Sequence, residues 1–269
     1  MKKVPFVKMS GAGNDFILID NRKRAIFGTL AKAAVRLCDR KHSIGGDGLI
    51  LLERSKTADI RMRILNPDGS EAEMCGNGVR ALAKFAHAHK ITKSKLSIET
   101  IAGLITAEVK GDSVKARLSD PKDLKLGLTV DVEGKSQTLN FVNTGVPHVV
   151  KVVDAIDAES VEPLGRSIRY HERFSPKGTN VNFIQFDGGN TIRVATYERG
   201  VEAETLACGT GSTASALVAA SLKGLASPVS VRTAGGETLK VYFKKTGERF
   251  TDVELEGRIQ TNFRGVVEL

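Results

Sequence analysis

Tryptophan is absent from this 269-residue chain, and tyrosine and cysteine occur three times each. With so few stacking rings, and with basic residues scattered singly among acids, no segment interleaves basic and aromatic side chains as single-strand nucleic-acid binders do. The excess of 40 Lys and Arg over 31 Asp and Glu, a formal +9, therefore reads as a basic, solvated surface suited to an anionic small molecule rather than to nucleic acid. No apolar run approaches the roughly 18 residues of a membrane span. Met1-Lys2-Lys3 is followed by no apolar stretch before Ser10-Gly11, so neither a membrane segment nor a secretory leader is expected. Three widely spaced cysteines suit neither a disulfide scaffold nor a CxxC metal or redox motif, and reduced thiols in a cytoplasmic protein fit best. Gly11-Ala12-Gly13 continues into neither GxGxxG nor GxxxxGKS, which argues against nucleotide binding.

What is present is an ordinary soluble composition, 41% hydrophobic and 26% charged, in a chain long enough for two domains. Val4 to Asp20 reads as strand, glycine loop and strand, and a helix follows from Thr29. On that helix Leu30, Ala34, Leu37 and Cys38 share one face, so Cys38 reads as a core cysteine. Strands are expected at Leu49–Leu52 and Ile60–Leu65, with turn chemistry at Asn66-Pro67-Asp68-Gly69. Cys75-Gly76-Asn77-Gly78 then opens a helix to about His89, with Val79, Leu82, Ala83 and Ala86 on one face. Residues 96–119 form a short meander, and the turn and charged residues of Ser119–Asp123 mark a boundary. Further strands lead to Asn182–Gln185 and Thr191–Tyr197. Cys208-Gly209-Thr210-Gly211 opens a second helix ending near Gly224, so apolar along Ser212–Leu222 that burial on most sides is expected.

The two halves align on one another. Ile60-Arg61-Met62 and Ile192-Arg193-Val194 lie 132 positions apart, Cys75 and Cys208 133 apart, with an acidic loop between strand and cysteine in each half. The repeat predicts two related domains of mixed α/β (α+β) class, each presenting one Cys-Gly-x-Gly at a helix N-terminus. A thiol there meets the positive end of the helix dipole and several unpaired amides, which favour the thiolate. The glycines let the backbone approach a ligand and turn amides toward an anion such as a carboxylate. Two such thiols acting on opposite faces of one α-carbon would invert a stereocentre: one removes the proton, the amides stabilise the carbanion, and the other returns a proton.

Asn66-Pro67-Asp68-Gly69-Ser70-Glu71 followed by Met74-Cys75-Gly76-Asn77-Gly78-Val79-Arg80, and Tyr197-Glu198-Arg199-Gly200-Val201-Glu202 followed by Thr205-Leu206-Ala207-Cys208-Gly209-Thr210-Gly211, closely resemble diaminopimelate epimerase. Gly11–Phe16, Asn143–His148 and Gly178–Phe183 are similar to that family's remaining signatures, in the same order along the whole chain. The resemblance implies interconversion of LL- and meso-diaminopimelate, on the route to lysine and peptidoglycan, with no pyridoxal phosphate, metal or other cofactor. It also implies two similar domains, each a barrel-like, mainly antiparallel sheet around a central helix, with the site in the cleft between them. The expected domains are 1–119 and 120–257, with the C-terminal strand, about 258–269, returning to the first.

Carried over residue by residue, Cys75 and Cys208 are the acid–base pair, and the amides of Gly76, Asn77, Gly209 and Thr210 hold the reacting carboxylate. Asn14, Asn66, Asn180, Glu198 and Arg199 resemble the substrate-binding set, with Arg199 the natural partner of the distal carboxylate. His148 and Glu198 would orient or tune the cysteines. Val146 and Gly48 depart from the Asn and Gln of some members, which bears on the distal contacts. A proline-racemase-like activity and a thiol-redox protein pairing Cys75 with Cys208 are the alternatives. Asn77, where proline racemases tend to show His, speaks against the first. The partner is a small molecule, and the oligomeric state is open, a homodimer included.

Overall fold

The computed structural model describes residues 2–26, 28–156 and 161–269. The chain divides into two units, residues 1–117 with 257–269, and residues 118–256.

In the first unit, β1 (Lys3–Gly11), β2 (Asn14–Asp20), α1 (Leu30–Cys38), β3 (Gly48–Glu53), β4 (Ile60–Leu65), β5 (Glu71–Ala72), α2 (Gly76–Ala88), β6 (Lys95–Thr100), β7 (Gly103–Lys110) and β8 (Ser113–Arg117) follow one another. Most neighbours are antiparallel, but β2 with β3 and β4 with β6 are parallel. Parallel neighbours cannot be joined by a hairpin and need a crossover. The two helices occupy those crossovers. The short β5 also pairs with β4, so the acidic loop ahead of Cys75 is partly a strand. The chain's last strand, Gln260–Glu268, pairs antiparallel with β1.

The second unit repeats the plan with β9 (Lys122–Val132), β10 (Lys135–Asn143), β11 (Pro147–Val152), α3 (Val161–Arg169), β12 (Asn180–Phe186), β13 (Thr191–Glu198), β14 (Ala203–Thr205), α4 (Gly209–Lys223), β15 (Val229–Thr233), β16 (Thr238–Thr246) and β17 (Arg249–Arg258). Its parallel pairs are β11 with β12 and β13 with β15, each again spanned by a helix. Here β9 pairs antiparallel with β10 in the way the C-terminal strand pairs with β1, so the chain's end supplies the first unit with its counterpart of β9. From sequence, only strands are expected between the boundary at Ser119–Asp123 and Asn182. Helix α3 is an addition, and it lies on β12 and β13.

Helix α2 touches β1 to β4 and β6 to β8, and α4 touches β10 to β13, β15 and β16. Each is therefore the axis of the sheet that curves around it. Helix α4 is buried continuously from Gly211 to Ala220. Its small side chains let strands approach on every side, and Gly224 ends it in the left-handed conformation, φ 67°. Around α2 the core contains Leu18, Ile50, Ile64, Val79, Leu82 and Phe85. Cys38 belongs to a separate cluster under α1 with Leu37, Leu49 and Leu51.

Candidate active site

Both axial helices begin on a cysteine. Cys75 and Cys208 are the N-cap residues, extended at φ −142° and −120°. Their carbonyls accept the first helical bonds, from Val79 and Ser212, each at 2.8 Å. Each sulfur in turn accepts the amide of the residue three positions on, Gly78 or Gly211, at 3.4 Å. The thiol thus stands where Ser or Asp would normally cap. Neither helix carries an acid in its first turn, so the remaining amides and the dipole have no carboxylate from their own turn opposing them. An anion approaching either helix start meets its positive end.

The second glycine of each motif is set by packing. A Cβ on Gly78 would stand 3.1 and 3.2 Å from the terminal methyls of Ile50 and Ile64, and one on Gly211 would overlap the side-chain oxygen of Asn182. The helix starts therefore lie directly on β3 and β4 in the first unit and on β12 in the second.

In the first unit, Asn77 is 3% exposed and its side-chain NH2 donates to the Ala12 carbonyl at 3.2 Å and to Asn14 Oδ1 at 2.8 Å. Its oxygen accepts from Arg80, a wholly buried arginine. With the side chain so committed, Asn77 has its backbone N–H left to offer a ligand. Asn14 donates to Asp47 at 3.1 Å, leaving one N–H and one lone pair of its amide. Asp47 is held by Arg40 at 2.7 Å, Arg40 also grips Asp15, and Asp15 pairs with the buried Lys8 at 2.7 Å. Burial works to raise the Asp15 carboxyl, but the hydrogen bonds and charges of Arg40 and Lys8 bring it down to about 2. Asn66 lies apart from this network: it caps its own turn, donating to Ser70 Oγ at 2.9 Å, with Gly69 at φ 85° closing the turn.

In the second unit, Asn180 accepts the Arg199 amide at 2.9 Å and donates to the Pro147 carbonyl at 3.1 Å. It joins the start of β12 to the loop beside Val146 and to the end of β13. The Arg199 guanidinium donates to the Lys177 carbonyl at 3.1 Å and borders a cavity of about 540 Å³ shared with Val146, Pro147, Arg173 and Lys177. Glu198 accepts from Thr205 at 3.0 Å. The loop after Arg199 is clamped by Glu202, which binds the Gly200 amide and Arg169, both at 3.0 Å. Thr144 donates to the Thr210 carbonyl at 3.0 Å, and the Thr210 hydroxyl lies 3.5 Å from the Cys208 sulfur. His148 is fully buried. Desolvation, with a smaller contribution from the Arg199 charge, lowers its pKa to about 3, so it is neutral.

The sequence reading named Asn14 and Asn77, and the structure joins them; it likewise joins Asn180 to Arg199. It missed Lys8, Asp15, Arg40 and Asp47, which hold the Asn14 loop, Thr144 and Asn182 at the start of the second axial helix, and Arg169 and Glu202, which clamp the loop after Arg199. Charged residues next to a glycine turn look like solvated loop residues until a partner distant in sequence is known. The structure also bears on Gly48: a Cβ there would stand 3.2 Å from the Leu65 carbonyl.

The family model for diaminopimelate epimerase matches the chain twice, at residues 6–122 and 140–257. A diaminopimelate epimerase of Aquifex aeolicus is 44% identical, the match covering 97% of this chain and 96% of that protein. One of Methanothrix thermoacetophila is 43% identical, covering 99% and 97%. Among solved structures, a phenazine biosynthesis protein of the PhzF family from Bacillus anthracis superposes with a TM-score of 0.77 at 17% identity, over 100% of both chains. A probable proline racemase from Agrobacterium radiobacter K84 gives 0.68 at 18%, covering 99% and 93%. These last two share the fold, which alone does not choose among their chemistries. The two matches of the family model and the full-length relatives do: the chain belongs to the diaminopimelate epimerase family.

Proposed function

We propose that this protein interconverts LL- and meso-diaminopimelate without a cofactor, using Cys75 and Cys208 as a two-base pair. The observation that carries the reading is the equivalence of the two thiols: each is the N-cap of the axial helix of a duplicated unit, with its sulfur on the third amide and no acid in the first turn. One thiolate takes the α-proton. The amides of Gly76, Asn77, Gly209 and Thr210 hold the adjacent carboxylate and share the charge that develops on it. The other thiol delivers its proton to the opposite face, so one C–H bond breaks, one forms, and the two sulfurs exchange protonation states. Arg199 suits the distal carboxylate, while Asn14, Asn66, Asn180 and Glu198 supply oxygens for the ammonium groups. The chemistry needs both thiols reduced, as in the cytoplasm.

The test is epimerisation in deuterated water by wild type, Cys75→Ser and Cys208→Ser. In the wild type, solvent deuterium should enter the product ahead of the remaining substrate. Each variant should lose activity by about a thousandfold. An unimpaired rate in either variant rules out the two-base scheme, and racemisation of proline with no turnover of LL-diaminopimelate overturns the substrate.

A further inference from the structure

The two axial helices rest on chemically different floors. Beneath α2, Phe16, Ile50 and Ile64 lie at registered positions of β2, β3 and β4, with Leu18 opposite Ile50 and Ile50 opposite Ile64. The corresponding register positions in the second unit carry a different kind of residue: 132 positions on, β11, β12 and β13 carry His148, Asn182 and Thr196, with Val150 opposite Asn182 and Asn182 opposite Thr196. An apolar set in one unit is a buried polar set in the other, at 0%, 0% and 3% exposure.

The hydrogen bonds of that polar set fix its protons. The Asn182 side chain faces the Val149 carbonyl at 2.9 Å, and a carbonyl only accepts, so the atom there is the NH2. Its other hydrogen points to His148 Nδ1 at 3.2 Å. The Asn182 oxygen takes the Thr196 hydroxyl at 3.0 Å and stands where a Cβ on Gly211 would fall; turning the amide over would set that oxygen against the Val149 carbonyl. A nitrogen that receives an N–H cannot carry a proton of its own, so His148 bears its proton on Nε2. That Nε2 is buried and has no hydrogen-bond partner among the described residues. Leaving a buried donor unmatched is unfavourable, which favours an acceptor that arrives with the ligand.

We propose that Asn182 is a positioning residue of the reaction: it fixes His148 with its proton on Nε2, so that this buried N–H is presented to an anionic oxygen or sulfur of the substrate-filled site. The functional half of this inference rests on the two-thiol reading above; the tautomer does not. Thr196 and the Val149 carbonyl hold Asn182, Asn182 holds His148, and His148 supplies the donor.

The experiment is long-range 1H–15N correlation NMR on 15N-histidine protein. The chain has five histidines, so the His148 signals are identified by their loss in His148→Gln. The wild type should show neutral His148 as the Nε2–H tautomer, and its Nε2–H proton should shift when diaminopimelate is added. An Nδ1–H tautomer, an imidazolium, or a proton resonance indifferent to saturating diaminopimelate overturns the proposal, and none of these measurements requires an Asn182 variant to fold. In Asn182→Asp the acceptor carboxylate should draw the proton to Nδ1 and lower kcat at least about tenfold, with KM within about threefold. A moved tautomer with unchanged kcat sinks the functional half. Because the cysteine variants are assayed separately, failure here is distinguishable from failure of the two-base scheme.

Discussion

Lys8, 5% exposed, holds the carboxylate of Asp15 at 2.7 Å beneath the loop that carries Asn14. The Asp15 carboxyl is lowered from 3.8 to about 2 in the folded protein, Arg40 and Lys8 outweighing the opposing effect of burial. A folded pKa below the unfolded one means that the pair's contribution is full above 3.8 and is lost as pH falls through about 2. Urea titrations across that window should show stability falling in the wild type and a shallower fall in Asp15→Asn. At neutral pH the same variant should be less stable by about 3 kcal/mol, because Lys8 stays buried without its counter-ion.

Gly78 and Gly211 hold equivalent places but face different neighbours. In Gly78→Ala the new methyl meets the flexible ends of Ile50 and Ile64, which can shift, and a loss of about 1 kcal/mol is expected. In Gly211→Ala it meets Asn182, whose amide is fixed on three sides. A loss of about 2 kcal/mol is expected there. Displacement of the Cys208 turn should lower kcat/KM by about 100-fold. Thermal melts and steady-state kinetics on the pair would reveal whether the order is reversed.

Arg199 is held by Asn180 through its backbone and by Lys177 through its guanidinium. If it grips the distal carboxylate, Arg199→Met removes a charge-assisted bond worth about 1.5–3 kcal/mol, so KM should rise roughly 10- to 100-fold with kcat little changed. Asn180→Ala should move KM in the same direction by freeing the Arg199 amide. A fall in kcat at constant KM would place Arg199 at the reacting carbon instead.

Cys38 should be chemically silent. Burial pushes its thiol up to about 11, so it has little thiolate at neutral pH and little access to solvent. Native protein treated with iodoacetamide and mapped by mass spectrometry should carry label on Cys75 and none on Cys38, while urea exposes Cys38 as well. Cys38→Ala should retain full activity at a stability cost of about 1 kcal/mol.

The helix starts were legible because their signals are local: a cysteine followed by glycines and then a small-residue or periodic apolar run yields α2 from Gly76 and α4 from Gly209. Helix α3 was not, since Pro163 and Gly165 break the pattern of Val161–Arg169. Its reason is tertiary. A Cβ on Gly165 would come within 2.6 Å of the Tyr197 Cβ, so the glycine that weakens the helix on its own is what lets it lie on β13.

By itself the sequence determined that the chain is a duplication with a thiol at the head of each axial helix, since repeats, glycine turns and apolar periodicity depend on residues near one another. Only the tertiary structure decided what stands behind those thiols. Strand register, which no local pattern specifies, sets Phe16, Ile50 and Ile64 under one helix and His148, Asn182 and Thr196 under the other. Burial sets Lys8 against Asp15, because a charge withdrawn from water must be matched by a partner that only the fold brings near, and the solvent-facing Arg40 then ties Asp15 to Asp47, the partner of Asn14.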